Sequence, residues 1–186
     1  MAYTGVSNWK NLKYNKMAVI ATKRETKKRE LLPIDNYMAR CCKVIHVGTT
    51  EYEKNETTYE NNKAVLFFEI IGAAEPTLVS EEVILDTNKD SKFRKLLNNW
   101  RGLDLTDEEA EAFDITVLAG KPCMVNIGHE TIKYDGGVFD KERILSISKM
   151  PSSIKCPEGK QPVAVLDYDN WQDAVFTELP SYIKKK

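Results

Sequence analysis

Apolar and polar positions along this chain fall into blocks with different periods. From Asn36 to Val47, Met38, Cys42, Val44 and Ile45 are interleaved with Arg40, Lys43 and His46. That two-residue period predicts a strand, and its slip at the Cys41-Cys42 pair reads as a bulge or bend. Gly48 ends the block. Thr49 to Asn62 is polar and charged, carries Tyr52 and Tyr59, and reads as an extended loop or ribbon. Lys63 to Gly72 (KAVLFFEIIG) is β-branched and aromatic with almost no polar break, the clearest strand in the chain. Thr77 to Leu85 is a third, weaker one. The period then changes: Phe93, Leu96, Leu97 and Trp100 fall at i, i+3, i+4 and i+7 behind Asp90-Ser91, giving a capped helix that ends near Gly102. Thr106 with Glu109 forms a capping box that opens a second short helix running through Phe113.

Strand character returns after Gly120 and Pro122. Cys123, Val125, Ile127 and His129 alternate, Tyr134-Asp135-Gly136-Gly137 marks a turn inside a loop reaching Asp140, and Arg143 to Lys149 is a fifth strand. Pro151, Pro157 and Pro162 break the next stretch into a loop. A short apolar run, Val163 to Leu166, and a helix from Asp169 to Glu178 complete the pattern. Three strands, a helical insertion over 91–113 and two more strands make a mainly β chain with helices (α+β). That order is the one expected of a five-stranded OB-like barrel with its helix between strands 3 and 4, followed by a C-terminal helical extension. The predicted organisation is a basic N-terminal arm over 1–30, an OB-like domain over 31–150 and the extension over 151–186.

Charge sharpens that division. Residues 1–29 hold eight Lys or Arg against Glu25, a net of +7, while the whole chain of 186 residues is −1, leaving −8 for the rest. A basic arm on an acidic body points to a polyanion or an acidic partner. The arm mixes Trp9, Tyr3 and Tyr14 with Lys10, Lys13 and Lys16 and has little sustained period, so it is expected to be mobile in the free protein. No apolar run approaches the ~20 residues of a membrane span, and the first residues lack the pattern of a secretory leader. A soluble, intracellular protein without a membrane partner is expected. Four cysteines without a CxxC argue for free thiols rather than a disulfide framework or zinc ribbon.

Enzyme signatures are absent: there is no GxxxxGK[ST], HExxH or GxSxG. Asp86-x-Asn88-x-Asp90 starts like a calcium loop but has Ser91 at the turn glycine and Leu97 at the terminal glutamate. Asp167-x-Asp169 resembles a nucleophile pair, yet only 17 residues follow it, and it reads better as a cap for the last helix. His46 and His129 sit in strand patterns, where a structural imidazole is the ordinary outcome. Lys92, Arg94 and Lys95 read as a solvated helix face. No catalysis, metal or cofactor is expected.

The remaining constellation is aromatic and basic. Tyr52, Lys54, Tyr59 and Lys63 flank the first long connection, and Lys133, Tyr134, Phe139, Lys141 and Arg143 flank the later one. In an OB-like barrel these are the connections that border an oligonucleotide groove. Exposed rings stack on bases at about 1–3 kcal/mol each, and lysines meet phosphates. Trp9, Lys10 and Lys13 add the same chemistry in the arm. Glu51, Glu53, Glu56 and Glu60 dilute the first cluster.

Several segments together resemble a family of phage replication-module proteins regarded as OB-fold single-stranded DNA-binding proteins. They are Leu32-Pro33, Tyr37-Met38-Ala39-Arg40-Cys41, Val47-Gly48-Thr49 and Phe68-Glu69-Ile70, then Ser91-Lys92 with Leu96, and Trp100-Arg101-Gly102. Leu105-Thr106-x-Glu108-Glu109, Phe113-Asp114 and Gly120-Lys121-Pro122-Cys123, with Asn126 and His129, extend the resemblance over about 31–150. It implies sequence-tolerant binding of single-stranded DNA during phage replication or recombination in a host cytoplasm. The partner it implies is the strand itself; replication or recombination proteins and further copies of the chain are left open as additional partners. The arm is more basic than that family's pattern, which would move part of the DNA affinity there. The competing expectation is a phage-encoded protein-interaction module, an adaptor or inhibitor that binds a host protein without nucleic acid.

Overall fold

The computed structural model describes residues 30–73 and 76–185. Leu31–Lys186 forms one compact unit. Its elements are β1 (Asp35–Lys54), β2 (Thr57–Ile70), β3 (Thr77–Ile84), α1 (Lys92–Arg101), α2 (Asp107–Glu111), a 3-10 turn (Ile115–Leu118), β4 (Pro122–Tyr134), β5 (Gly137–Ser148), β6 (Ala164–Leu166) and α3 (Asp173–Glu178). The sheet is mainly antiparallel, ordered β3-β2-β1-β4-β5, and β6 joins β1 in parallel at Lys43–Ile45. It is not closed: among the described residues no backbone ladder links β3 to β5. None of the described helices is long and apolar enough to cross a membrane.

The length of β1 follows from its irregularities. Register shifts lie between Cys41 and Lys43 and between His46 and Gly48. Gly48 does not end the strand as its sequence position implies. Its φ of +103° absorbs the second shift, and β1 continues, paired with β2, to Lys54. Residues 49–62 are therefore a paired ribbon. The segment from Tyr134 to Asp140, expected as a loop, is likewise two paired arms around Asp135-Gly136.

Two apolar clusters sandwich the centre of the sheet. The larger holds Ala39, Cys41 and Val44, then Leu66 and Phe68, then Val125 and Ile127, and is roofed by Phe93, Leu97 and Trp100 of α1. The smaller holds Cys42, Ile45, Val65 and Phe67 against Leu166, Leu179 and Ile183 from the end of the chain. Coverage on both faces explains why β2 is an unbroken apolar run rather than an alternating one. Helix α1 is capped as read, with Ser91 Oγ accepting from Arg94 N at 3.1 Å and Gly102 in the left-handed conformation. The capping box of α2 is formed, but that helix ends at Glu111. Asp114 then takes over, accepting from Thr116 N at 2.8 Å to start the 3-10 turn.

Other expectations on the helices need correction. Arg94 is buried, not on a solvated face: it donates to Thr87 O, to Leu105 O and to Asp107. Asp167 does not cap α3. Its carboxylate accepts from Asp169 N and Asn170 N in the turn before, and α3 begins only at Asp173 without a side-chain cap bond.

Candidate functional site

The candidate residues sit on two projecting ribbons and on the seam between the unpaired edges. In the first ribbon Tyr52 and Tyr59 are register partners, and their rings stack with centroids 5.3 Å apart at 20°. Both remain nearly half exposed, at 43% and 44%. The turn beyond them places Asn55 and Glu56 at positive φ, the two-residue turn whose twist matches that of the strands. Lys54 stands exposed beside it and forms no ion pair among the described residues.

The second ribbon repeats the arrangement with different geometry. Tyr134 lies opposite Gly137, and its ring meets Phe139 edge-on, centroids 5.8 Å apart. A Cβ at Gly136 would fall 2.5 Å from the exposed Tyr134 ring, so a larger residue there would push the ring aside. Lys133 is exposed at this tip.

The tips are not side by side in the sheet. β4 runs antiparallel to β1 with Asp35 opposite Ile127, so its ribbon leaves the sheet past the start of β1. The first ribbon leaves past the other end. A charged strip joins their bases. Lys63 pairs with Glu82 at 3.3 Å, and Lys141 and Arg143 reach Glu130 at 3.6 and 3.7 Å. Glu81, Glu82, Lys141 and Arg143 line one cleft of about 380 Å³ at the seam. Burial pushes the Glu81 carboxyl above its ordinary range, opposed by Arg143, Lys141 and Lys92 and reinforced by Glu130. The three cations at the ribbon bases thus face carboxylates, in contrast to Lys54 and Lys133 at the tips. Trp9, Lys10 and Lys13 lie outside the described residues.

Sequence reasoning missed the outward face of β1 and β2. Lys43 is buried there with its ammonium 3.2 Å from Glu178 of α3. Nearby, Arg40 bonds Glu69 at 3.2 Å, and Glu69 also accepts from the backbone of Lys160 and Gln161. Leu179 and Ile183, spaced i and i+4 behind an apolar run, were the available signal that the chain end packs back onto the sheet.

Both histidines have structural partners. His46 bonds Asn62 at 2.6 Å and His129 bonds Leu32 O at 2.7 Å. Burial pushes the Cys41 and Cys123 thiols far above their usual range. Among the described residues no group of three or more His, Cys, Asp or Glu is gathered to hold a metal ion. Away from the ribbons, a cavity of about 620 Å³ opens between the helical insertion and the sheet, lined by Trp100, Phe113 and Leu118 with Lys121 and Lys149 at its rim. No protein-family model matches the chain, and no curated protein matches it.

Proposed function

We propose that this protein binds single-stranded DNA with little sequence preference, as a non-enzymatic OB-like domain of the phage replication type. The observation that carries the reading is the pair of aromatic clusters, Tyr52 with Tyr59 and Tyr134 with Phe139, held at the ends of two paired ribbons. Projecting ribbons leave these rings outside both apolar clusters, where stacking with unpaired bases covers surface that folding does not. Lys54 and Lys133 supply phosphate contacts at each tip. The strand order supports the same reading. β3 and β5 end the path and meet at the seam, and the helices lie between β3 and β4, as in a partly open Greek-key barrel. Such a protein would coat exposed strands during replication or recombination in a host cytoplasm, beside replication or recombination proteins and further copies of itself.

Alanine substitution tests the tips directly. Tyr52→Ala and Tyr134→Ala should each weaken binding to a labelled single strand by about 5- to 100-fold, the loss of one stacked base. Their unfolding midpoints should stay close to that of the parent. Unchanged affinity in both variants would remove the ribbons as the site.

The cavity beside α1 favours a second reading, a protein-interaction module. Apolar walls and a charged rim are what a partner helix meets in a groove. That reading predicts no oligonucleotide binding at any salt concentration.

A further inference from the structure

The end of the chain covers a surface that continues the first ribbon. The register shift between His46 and Gly48 places its extra residue, Val47, in β1, and from Lys63 out to Thr57 the pairing is unbroken. The two-residue alternation of β2 itself therefore puts Tyr59, Lys63, Val65 and Phe67 on one side. Tyr59 and Lys63 are reached by solvent in part, whereas Val65 and Phe67 lie under Leu179 and Ile183. Lys43 lies in the same covered region, neutralised by Glu178. Lifting the cover would extend the Tyr52–Tyr59 stack into a strip with an ammonium and a further aromatic ring, the two groups a single strand uses.

The cover is not held evenly. β6 is tied into the sheet by a parallel ladder. Residues 173–183 are attached more lightly. α3 has six residues, no side-chain cap bond and no buried residue of its own. Its attachments are the buried Leu179 and Ile183, the partly buried Val175 and Phe176 packed beside them, the Lys43–Glu178 pair, and a hydrogen bond of 3.0 Å between the hydroxyls of Ser80 and Tyr182. Few buried contacts place such a segment at the low-stability end of a fold.

We propose that the outward face of β1 and β2 is a second contact surface for single-stranded DNA, and that residues 173–183 compete with the strand for it. The inference rests on the reading of the ribbons as a single-strand site. In the free protein the segment lies on the face, with the Glu178 carboxylate where a phosphate would sit. A strand that extends from the Tyr52–Tyr59 stack along β2 takes over Lys43 and lifts the segment. The energetics are those of a population shift, with apparent affinity set by the fraction of molecules whose cover is open.

The test uses the full chain, a labelled single strand and hydrogen exchange. Adding the strand should speed exchange at the amides of Phe176, Leu179 and Ile183, which the segment's own turns hold. Glu178→Gln should bind the strand about two- to fivefold more tightly than Glu158→Gln, which removes the same charge from an exposed site without a contact to Lys43. Tyr182→Phe, which removes only the bond to Ser80, should shift affinity the same way. If the strand binds but these amides are unchanged or slowed, and Glu178→Gln matches Glu158→Gln, the cover is a fixed part of the fold and the inference fails while the ribbon site stands. If neither the parent nor Glu178→Gln binds, the single-strand reading fails and takes the inference with it.

Discussion

At the scale of single residues, environment overrides residue type. Lys43, Glu69 and Arg94 are charged yet buried, and each is kept by partners that only the folded chain supplies. Arg94 falls on the polar side of a helical wheel, so its sequence position predicts solvent; it is buried because 105–107 folds back over α1 to offer Leu105 O and Asp107. Glu81 is the opposite case, a carboxylate with cations nearby whose burial outweighs them. Its folded pKa lies above the unfolded one, so the stability it contributes is complete below the unfolded value and is lost as pH rises through the folded value. Glu81→Gln should therefore raise the thermal midpoint at pH 7, and the two proteins should converge near pH 4. A variant less stable than the parent at pH 7 would show that Arg143, Lys141 and Lys92 dominate instead. The aromatic residues of the candidate site were legible one by one, because Tyr52, Tyr59, Tyr134 and Phe139 interrupt polar stretches. Their pairing was not, since it depends on register.

At the scale of elements, local signals did well where the chain itself carries the cause. The caps of α1 and α2, the apolar strand segment Lys63–Ile70 and the turn at Asp135-Gly136 lie where side-chain chemistry puts them, although the strand stops two residues before Gly72. Boundaries set by tertiary pairing were missed. β1 runs past Gly48 because β2 offers a partner, and β6 exists because β1 has a free edge at Lys43–Ile45. α3 starts four residues later than its pattern implies, since Asp167 spends its carboxylate on the preceding turn. Gly48 is the hinge of the first ribbon: its φ is +103°, and a Cβ there would lie 2.7 Å from the Tyr168 hydroxyl. Gly48→Ala should lower unfolding stability by about 1–3 kcal/mol, the cost of one strained residue held by its surroundings. Denaturant unfolding checks this, and an unchanged midpoint would mean that the ribbon re-aims without strain.

At the scale of the whole molecule, the five strands of the main path and the place of the helices between β3 and β4 were readable from the order of periods along the chain, while the sixth strand, β6, was not. The unclosed seam was not readable, because nothing local tells β3 and β5 whether to pair. Charge is also a whole-molecule property: +7 in residues 1–29 against −8 in the remainder. On the body, the cations at the ribbon bases are already paired with glutamates, so the proposed single-strand reading assigns much of the affinity to stacking and the phosphate contacts to Lys54 and Lys133. Fluorescence anisotropy of a labelled single strand of about 30 nucleotides and of the matching duplex, titrated with the full chain over a range of salt concentrations, tests the central claim most directly. The account predicts preference for the single strand and affinity that falls as salt rises, because each phosphate neutralised releases a counterion. Equal affinity for the two nucleic acids, or binding to neither at low salt, would contradict it.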